Sequence, residues 1–270
     1  MSAVGGPRFA TWNASLLSTV RDEDAIAIHP YWGLSDNAPP GSDVAATLVA
    51  GQDHWAAFSR QTLHPLPGRL RLWLTEWNQT GLGASGGTQI WAQALSVAAV
   101  AFDQLADRRV TISLIHDIVG GARNPQDFGT AEVFPLFTDG VDGSPVLART
   151  ALGYAVPLIY STVAGASRAQ RLLVPGVPTL AGRPTVVGVL LTAGHRSKVL
   201  LINLNSKTIK VRLPTALRGR ATLTSLRAAP GSQPGWKPGA GVSTLKRVVR
   251  GAVRLPPYSI DRVLPRAVGP

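Results

Sequence analysis

The chain has 270 residues, 45% of them apolar and 16% charged, which leaves room for one large domain or two ordinary ones and excludes wholesale disorder. It contains no cysteine, so disulfides, thiolate nucleophiles and cysteine-ligated metals are excluded and the redox compartment stays undecided. Net charge is +12 but unevenly placed: residues 1–150 hold nine arginines against fourteen acids, and residues 151–270 hold eighteen basic residues against one acid, Asp261.

That shift argues for two domains with a boundary after about residue 150. A strongly basic second part suits an anionic polymer. No aromatic-interleaved basic motif supports nucleic-acid readout, so a solvated basic surface is the expected reading and no nucleic-acid partner is expected. No run of about eighteen apolar residues is present, so no membrane span is expected. The opening Met1-Ser2-Ala3-Val4-Gly5-Gly6-Pro7 is too short and too glycine-rich for a signal peptide.

Taken in order, Met1–Gly6 reads as the tail of a strand, and Trp12–Val20 as a short helix with Asn13 as its cap. Asp24–Gly33 is a short apolar strand that ends in His29, Pro30, Tyr31 and Trp32. A helix is expected over Asp43–Gln61, with Trp55 and Phe58 at helical spacing. The next strand, Arg69 onward, alternates Leu70, Leu72 and Leu74 with Arg71, Trp73 and Thr75, then runs through Glu76, Trp77 and Asn78 into the glycines at 81, 83, 86 and 87. Gly87–Leu105 is a strong helix, with Trp91, Leu95, Ala98, Phe102 and Leu105 on one face. Arg109–Asp117 is a third strand with His116 and Asp117 at its end, and after a long loop a helix is expected from Pro145 to Ala164.

Apolar strands alternating with helices are the signature of a parallel sheet buried on both faces. Three complete βα units are visible, where a closed barrel needs eight strands. After about residue 170 the period changes. Pro184–Thr192, Val199–Asn205, Thr208–Leu213, Ala221–Arg227 and Tyr258–Leu264 read as short strands of an antiparallel sandwich, and Ser232–Gly241 as a loop.

Three successive strand ends therefore carry polar chemistry: His29 and Tyr31, Glu76 and Asn78, His116 and Asp117. In a parallel sheet such ends are neighbours on one rim. Each also has a structural reading: Glu76 paired with a nearby arginine, His29 satisfied within the core, Tyr31 and Trp32 as rim packing, Asp117 as a loop cap. Gly81-Leu82-Gly83-Ala84-Ser85-Gly86 matches a dinucleotide fingerprint by letter, but Glu76–Thr80 separate it from the strand end and no acid follows at the right distance. Gly83-Ala84-Ser85-Gly86-Gly87 matches a nucleophile elbow by letter, but its serine lies well past the strand. No helical His-x-x-x-His pair is present, and neither a metal nor an organic cofactor is expected.

The segment Thr75-Glu76-Trp77-Asn78 resembles the nucleophile segment of retaining glycoside hydrolases of clan A, and looks most like that of α-L-arabinofuranosidase-like enzymes. Ala27-Ile28-His29-Pro30-Tyr31-Trp32 is similar to their sixth-strand segment, and Leu255-Pro256-Pro257-Tyr258-Ser259-Ile260 to the last strand of the sandwich that follows their barrel. The resemblance implies a partial (β/α)8 (TIM) barrel, its last three to four βα units over residues 1–165, followed by an antiparallel β-sandwich over 166–270. It implies Glu76 as nucleophile, Tyr31 as the residue that orients it, and His29, Trp32, Trp77, Asn78, His116 and Asp117 along the sugar subsites. An oligo- or polysaccharide is the expected partner.

Retaining chemistry needs a second carboxyl group about 5–5.5 Å from the first. The resemblance places it after an asparagine at the end of strand four, and no Asn-Glu pair occurs here. The other two glutamates are Glu23, at the expected bottom of the barrel, and Glu132, in the long loop. The expectation is thus the C-terminal portion of a glycosidase, impaired or inactive alone, with a complementing N-terminal half-barrel as a further partner. The alternative is a non-catalytic carbohydrate-binding or structural module using Trp32, Trp55 and Trp77. Localisation stays undecided, extracellular if a signal peptide precedes the complete protein.

Overall fold

The computed structural model describes residues 24–33, 44–79, 90–116, 148–232 and 241–266, together with residues 15, 18, 119, 120, 137 and 138. The expectations for Met1–Gly6, Gly81–Gly87, Glu23, Asp117 and Glu132 lie outside these residues, and that for Ser232–Gly241 lies almost wholly outside them. Of the expected helix at Trp12–Val20, only Ser15 and Ser18 are described, both helical.

The first layer is a parallel sheet. Its strands are β1 (Ala25–Ile28), β2 (Tyr31–Trp32), β3 (Arg71–Gln79) and β4 (Val110–Ile115). β1 and β2 pair with β3 in one continuous direction, Ala25 with Arg71 and Tyr31 with Asn78, so they are two pieces of a single strand course. The break falls at His29-Pro30, where proline has no N–H to give the ladder. On the other side of β3, β4 runs parallel as well, from Leu72 opposite Val110 to Trp77 opposite Ile115.

Helices α1 (Val44–Phe58), continued by a π-helical turn at Ser59–Leu63, and α2 (Trp91–Ala106) follow the first two strand courses. α1 buries Leu48, Gln52, Trp55 and Phe58 at spacings of three and four, one helical stripe. α2 is buried nearly all round, from Trp91 through Val100 to Phe102. Gly51 of α1 is what lets the two helices meet: a Cβ there would stand 2.6 Å from the Ser96 carbonyl, and the Gly51 N–H donates to Ser96 Oγ at 2.8 Å.

Short pieces β5 (Val119–Gly120), β6 (Phe137–Thr138) and β7 (Ala148–Arg149) form a separate small sheet before α3 (Ala151–Val163). Thr150 caps α3, its Oγ1 accepting from Gly153 N at 3.1 Å.

The basic part of the chain forms antiparallel sheet: β8 (Arg168–Arg171), β11 (Val186–Ala193), β12 (Arg196–Asn203), β13 (Ile209–Arg212), β14 (Arg220–Arg227), β15 (Ser243–Arg250), β16 (Ala252–Leu255) and β17 (Ser259–Pro265), with β9 (Thr179–Leu180) and β10 (Arg183–Pro184) as a separate hairpin. The order is β13-β16-β15-β14-β17-β12-β11-β8, one hydrogen-bonded sheet rather than the two sheets of the expected sandwich. It bends at the β15–β16 hairpin, where Gly251 takes a φ of +68° and only Arg250 and Ala252 pair. The bend encloses Val186, Val199, Leu201, Val211, Leu223, Val253, Leu255 and Val263 in one cluster. The opposite face of β11, β12 and β17 packs Val187, Val189, Leu200, Ile202 and Ile260 into the same core as α2 and α3.

Candidate functional site

Alternation along β3 decides which groups reach the open face of the parallel sheet. Leu72 and Leu74 point into the helical core, so Arg71 and Trp73 point the other way. Strict alternation would send Glu76 into the core after Leu72 and Leu74. Instead the ladder to β4 slips: Leu74 lies opposite Ser113 and Trp77 opposite Ile115, three residues against two. This bulge inverts the alternation. Trp77 takes the core position and Glu76 emerges on the face that carries Trp73.

On that face three strand courses deliver one polar cluster. Tyr31 Oη donates to Glu76 Oε2 at 2.9 Å. His29 Nδ1 stands 3.8 Å from the same oxygen, while its Nε2 lies 2.6 Å from Thr75 Oγ1. His116, at the end of β4, sets its ring edge-on to Tyr31 with centroids 6.3 Å apart. The Glu76 side chain is 46% exposed, so the carboxylate is held at one oxygen and open at the rest. The arrangement presents a carboxyl group oriented by Tyr31, with the His29 imidazole beside it and the His116 imidazole beside Tyr31, all at the C-terminal ends of parallel strands.

Three of the expected sugar-lining residues are placed otherwise. Trp32 and Trp77 are 4% and 2% exposed and stack on each other at 6.3 Å, on the helical side of the sheet. Asn78 is fully buried; its Nδ2 donates to the His116 carbonyl at 2.6 Å and its Oδ1 accepts from Gln79 N at 2.7 Å. None of the three has surface to offer a sugar, and Asn78 instead ties β3 to the end of β4. Trp55, offered with them in the carbohydrate-binding alternative, is buried too. Asp117 lies outside the described residues.

Two contributors were not singled out from sequence. Thr75 holds His29. His54 of α1 stacks on Trp32 at 5.4 Å and on Phe58 at 5.9 Å, so an aromatic pile runs from α1 to the strand end that carries Glu76. Burial pushes the His54 imidazole down to about 4, so it is neutral in this stack. Its spacing to Phe58, one helical turn, was the available signal.

Among the described residues no second carboxylate shares the face of Glu76. Asp24 precedes β1 at the opposite end of the sheet, Asp53 pairs with Arg183, Asp103 with Arg171, Asp107 with Arg109, and Asp261 is buried in the antiparallel sheet.

No protein-family model matches the sequence, and a search of curated proteins finds no match. Solved structures do match in fold. A 4-O-α-L-rhamnosyl-β-D-glucuronidase from Fusarium oxysporum aligns at a TM-score of 0.57 and 13% identity, over 89% of this chain and 53% of that one. An arabinose-bound α-L-arabinofuranosidase of glycoside hydrolase family 51 aligns at 0.55 and 12%, over 95% and 42%. A family 86 β-porphyranase from Bacteroides plebeius aligns at 0.50 and 14%, over 97% and 46%. The chain thus spans about half the length of the structures it matches, and it has a glycoside hydrolase-like fold.

Proposed function

We propose that this chain is a glycosidase-like protein whose Glu76 is the nucleophile of a retaining mechanism. The observation that carries the reading is the Tyr31–Glu76 hydrogen bond of 2.9 Å on the open face of the sheet. Residues 1–165 are then the last three to four βα units of a (β/α)8 barrel, and the open face that carries Trp73, Ile112 and Leu114 is the barrel interior. Residues 166–270 are the accompanying β-domain. The substrate is an O-glycoside, an arabinofuranoside or a related cell-wall sugar.

In this reading Glu76 attacks the anomeric carbon as the leaving group departs, and Tyr31 holds the carboxylate in line. His29 and His116 flank the sugar. Protonation of the leaving group and activation of water need a second carboxyl group about 5–5.5 Å away. With none on this face among the described residues, the natural reaction is slow or absent in the isolated chain, and a complementing half-barrel is the source of the missing acid.

The test separates the two carboxylates. A dinitrophenyl α-L-arabinofuranoside has a leaving group that departs without protonation, so it needs only the nucleophile. Expected is a Glu76-dependent glycosyl-enzyme detected by intact mass, abolished in Glu76→Gln, with little hydrolysis of the corresponding alkyl glycoside. No covalent adduct in the parent chain overturns the assignment. The lack of a second carboxylate on this face among the described residues also favours a non-catalytic carbohydrate-binding module. Polysaccharide binding that survives Glu76→Gln, with no adduct, selects that reading.

A further inference from the structure

We infer that the convex outer face of β13–β16–β15–β14 binds a linear anionic polysaccharide, one bearing carboxylate or sulfate groups. Val211, Val253, Leu255, Val249, Ala221 and Leu223 point into the bend of the sheet. By alternation Lys210, Arg212, Arg254, Lys246, Arg250 and Arg220 point away from it, and all six are exposed.

The ladder sets these cations side by side. Lys210 lies directly opposite Arg254, and Arg220 directly opposite Arg250. Like charges opposite one another across an antiparallel pair destabilise it. Nothing in this part of the chain relieves them. Its one acid, Asp261, is buried on the inner side of the sheet, and none of the six cations forms a salt bridge among the described residues. A surface that accumulates uncompensated positive charge in register, at a cost in stability, fits a polymer that brings the counter-charges with it.

The chemistry of the face narrows the polymer. β13, β14, β15 and β16 carry no aromatic residue, so the stacking that holds single-stranded nucleic acid is missing. The carbohydrate class rests on the glycosidase-like reading above, whereas the anionic requirement rests on the sheet alone.

Binding is measured with the 270-residue chain carrying Glu76→Gln, so that turnover and binding read separately. Polygalacturonate, a heparin chain, neutral dextran and a DNA duplex are the probes. Expected is binding to polygalacturonate or heparin that weakens at least tenfold from about 50 to about 200 mM salt by counterion release. The double variants Lys210→Gln/Arg254→Gln and Arg220→Gln/Arg250→Gln each lose roughly tenfold or more in affinity, with a thermal midpoint equal to or above the parent's because opposed like charges are gone. The inference is overturned if neither acidic polysaccharide binds at the lower salt, if dextran binds equally, if the double variants bind as the parent does, or if the duplex binds more tightly than both polysaccharides.

Discussion

Asp261 and His54 show how single buried groups set the response of this protein to pH. Asp261 is fully buried, and Ser225 Oγ donates to its Oδ1. Ser259 Oγ stands 2.5 Å from Asp261 Oδ2 and 2.8 Å from the Pro256 carbonyl. One hydroxyl proton serves one of these acceptors at a time, so a protonated Asp261 completes the chain by donating to Ser259. Burial raises this carboxyl from 3.8 to about 7, against the opposing pull of the two serines and Arg247. Between pH 3.8 and 7 the folded state holds a proton that the unfolded chain has released, so the Asp261 contribution to stability falls as pH rises through that window. His54 runs the other way. Its folded value of about 4 lies below the ordinary 6.5, so its contribution is full above 6.5 and is lost as pH falls toward 4.

The two slopes oppose each other across nearly the same window, each worth on the order of 4 kcal/mol at about 1.4 kcal/mol per pKa unit, the Asp261 slope being the larger. Urea midpoints taken from pH 4 to 8 test this. Asp261→Asn is expected to remove the falling slope and to stabilise the protein most at neutral pH. His54→Phe, which keeps the stack, is expected to leave a profile that falls steadily from pH 4 to 7. Profiles in both variants that parallel the parent's contradict the account.

At the scale of elements, the site depends on the bulge in β3, which was not identified from the sequence although a trace of it is there. The apolar positions run 70, 72, 74 and then 77, a change of phase that strict alternation cannot produce. The three βα strand courses and their helices were legible because each keeps one period over enough residues to bury one face. The rim order of His29, Tyr31, Glu76 and His116 followed from it. Which face each rim residue takes did not: the bulge in β3 shifts Trp77 and Asn78, Trp32 follows the break at His29-Pro30, and all three, read from sequence as site residues, are buried. β15 and β8 left no apolar pattern either. Ser243–Arg250 lies on the outer edge of the bend and Arg168–Arg171 on the sheet margin, where pairing rather than burial makes the strand. α1 and α2 offer a direct check. Gly51→Ala drives a methyl group into the Ser96 carbonyl, a backbone atom that cannot rotate aside, and is expected to cost about 1–3 kcal/mol in chemical denaturation. A neutral result shows that the helix pair is looser than this contact requires.

Over the whole molecule, the sharp change in charge coincides with close packing. Acids of the helices meet arginines of the basic part: Asp103 of α2 pairs with Arg171 of β8 at 2.5 Å, and Asp53 of α1 with Arg183 of β10 at 2.5 Å. Burial raises the Asp103 carboxyl, and Arg171 and Arg183 pull it back down. Beneath these pairs α2 and α3 share one apolar core with β11, β12 and β17. The parallel and antiparallel sheets are therefore expected to melt together. Calorimetry should give one transition whose calorimetric and van't Hoff enthalpies agree, and two resolved peaks contradict the shared core.

The start of α2 carries this coupling to the site. Its first N–H groups, at Trp91 and Ala92, donate to the carbonyls of Ser232 and Pro230, and Trp91 Nε1 donates to the carbonyl of Tyr258 at 2.7 Å. Both acceptor segments belong to the antiparallel sheet and its connections. β3, which ends three residues beyond Glu76, is joined by residues 80–90 to this helix start. The antiparallel sheet thus anchors the start of the helix that follows, after a gap of eleven residues in sequence, the strand carrying Glu76, so the loops at Pro230 and Tyr258 hold the next element of the chain after the site.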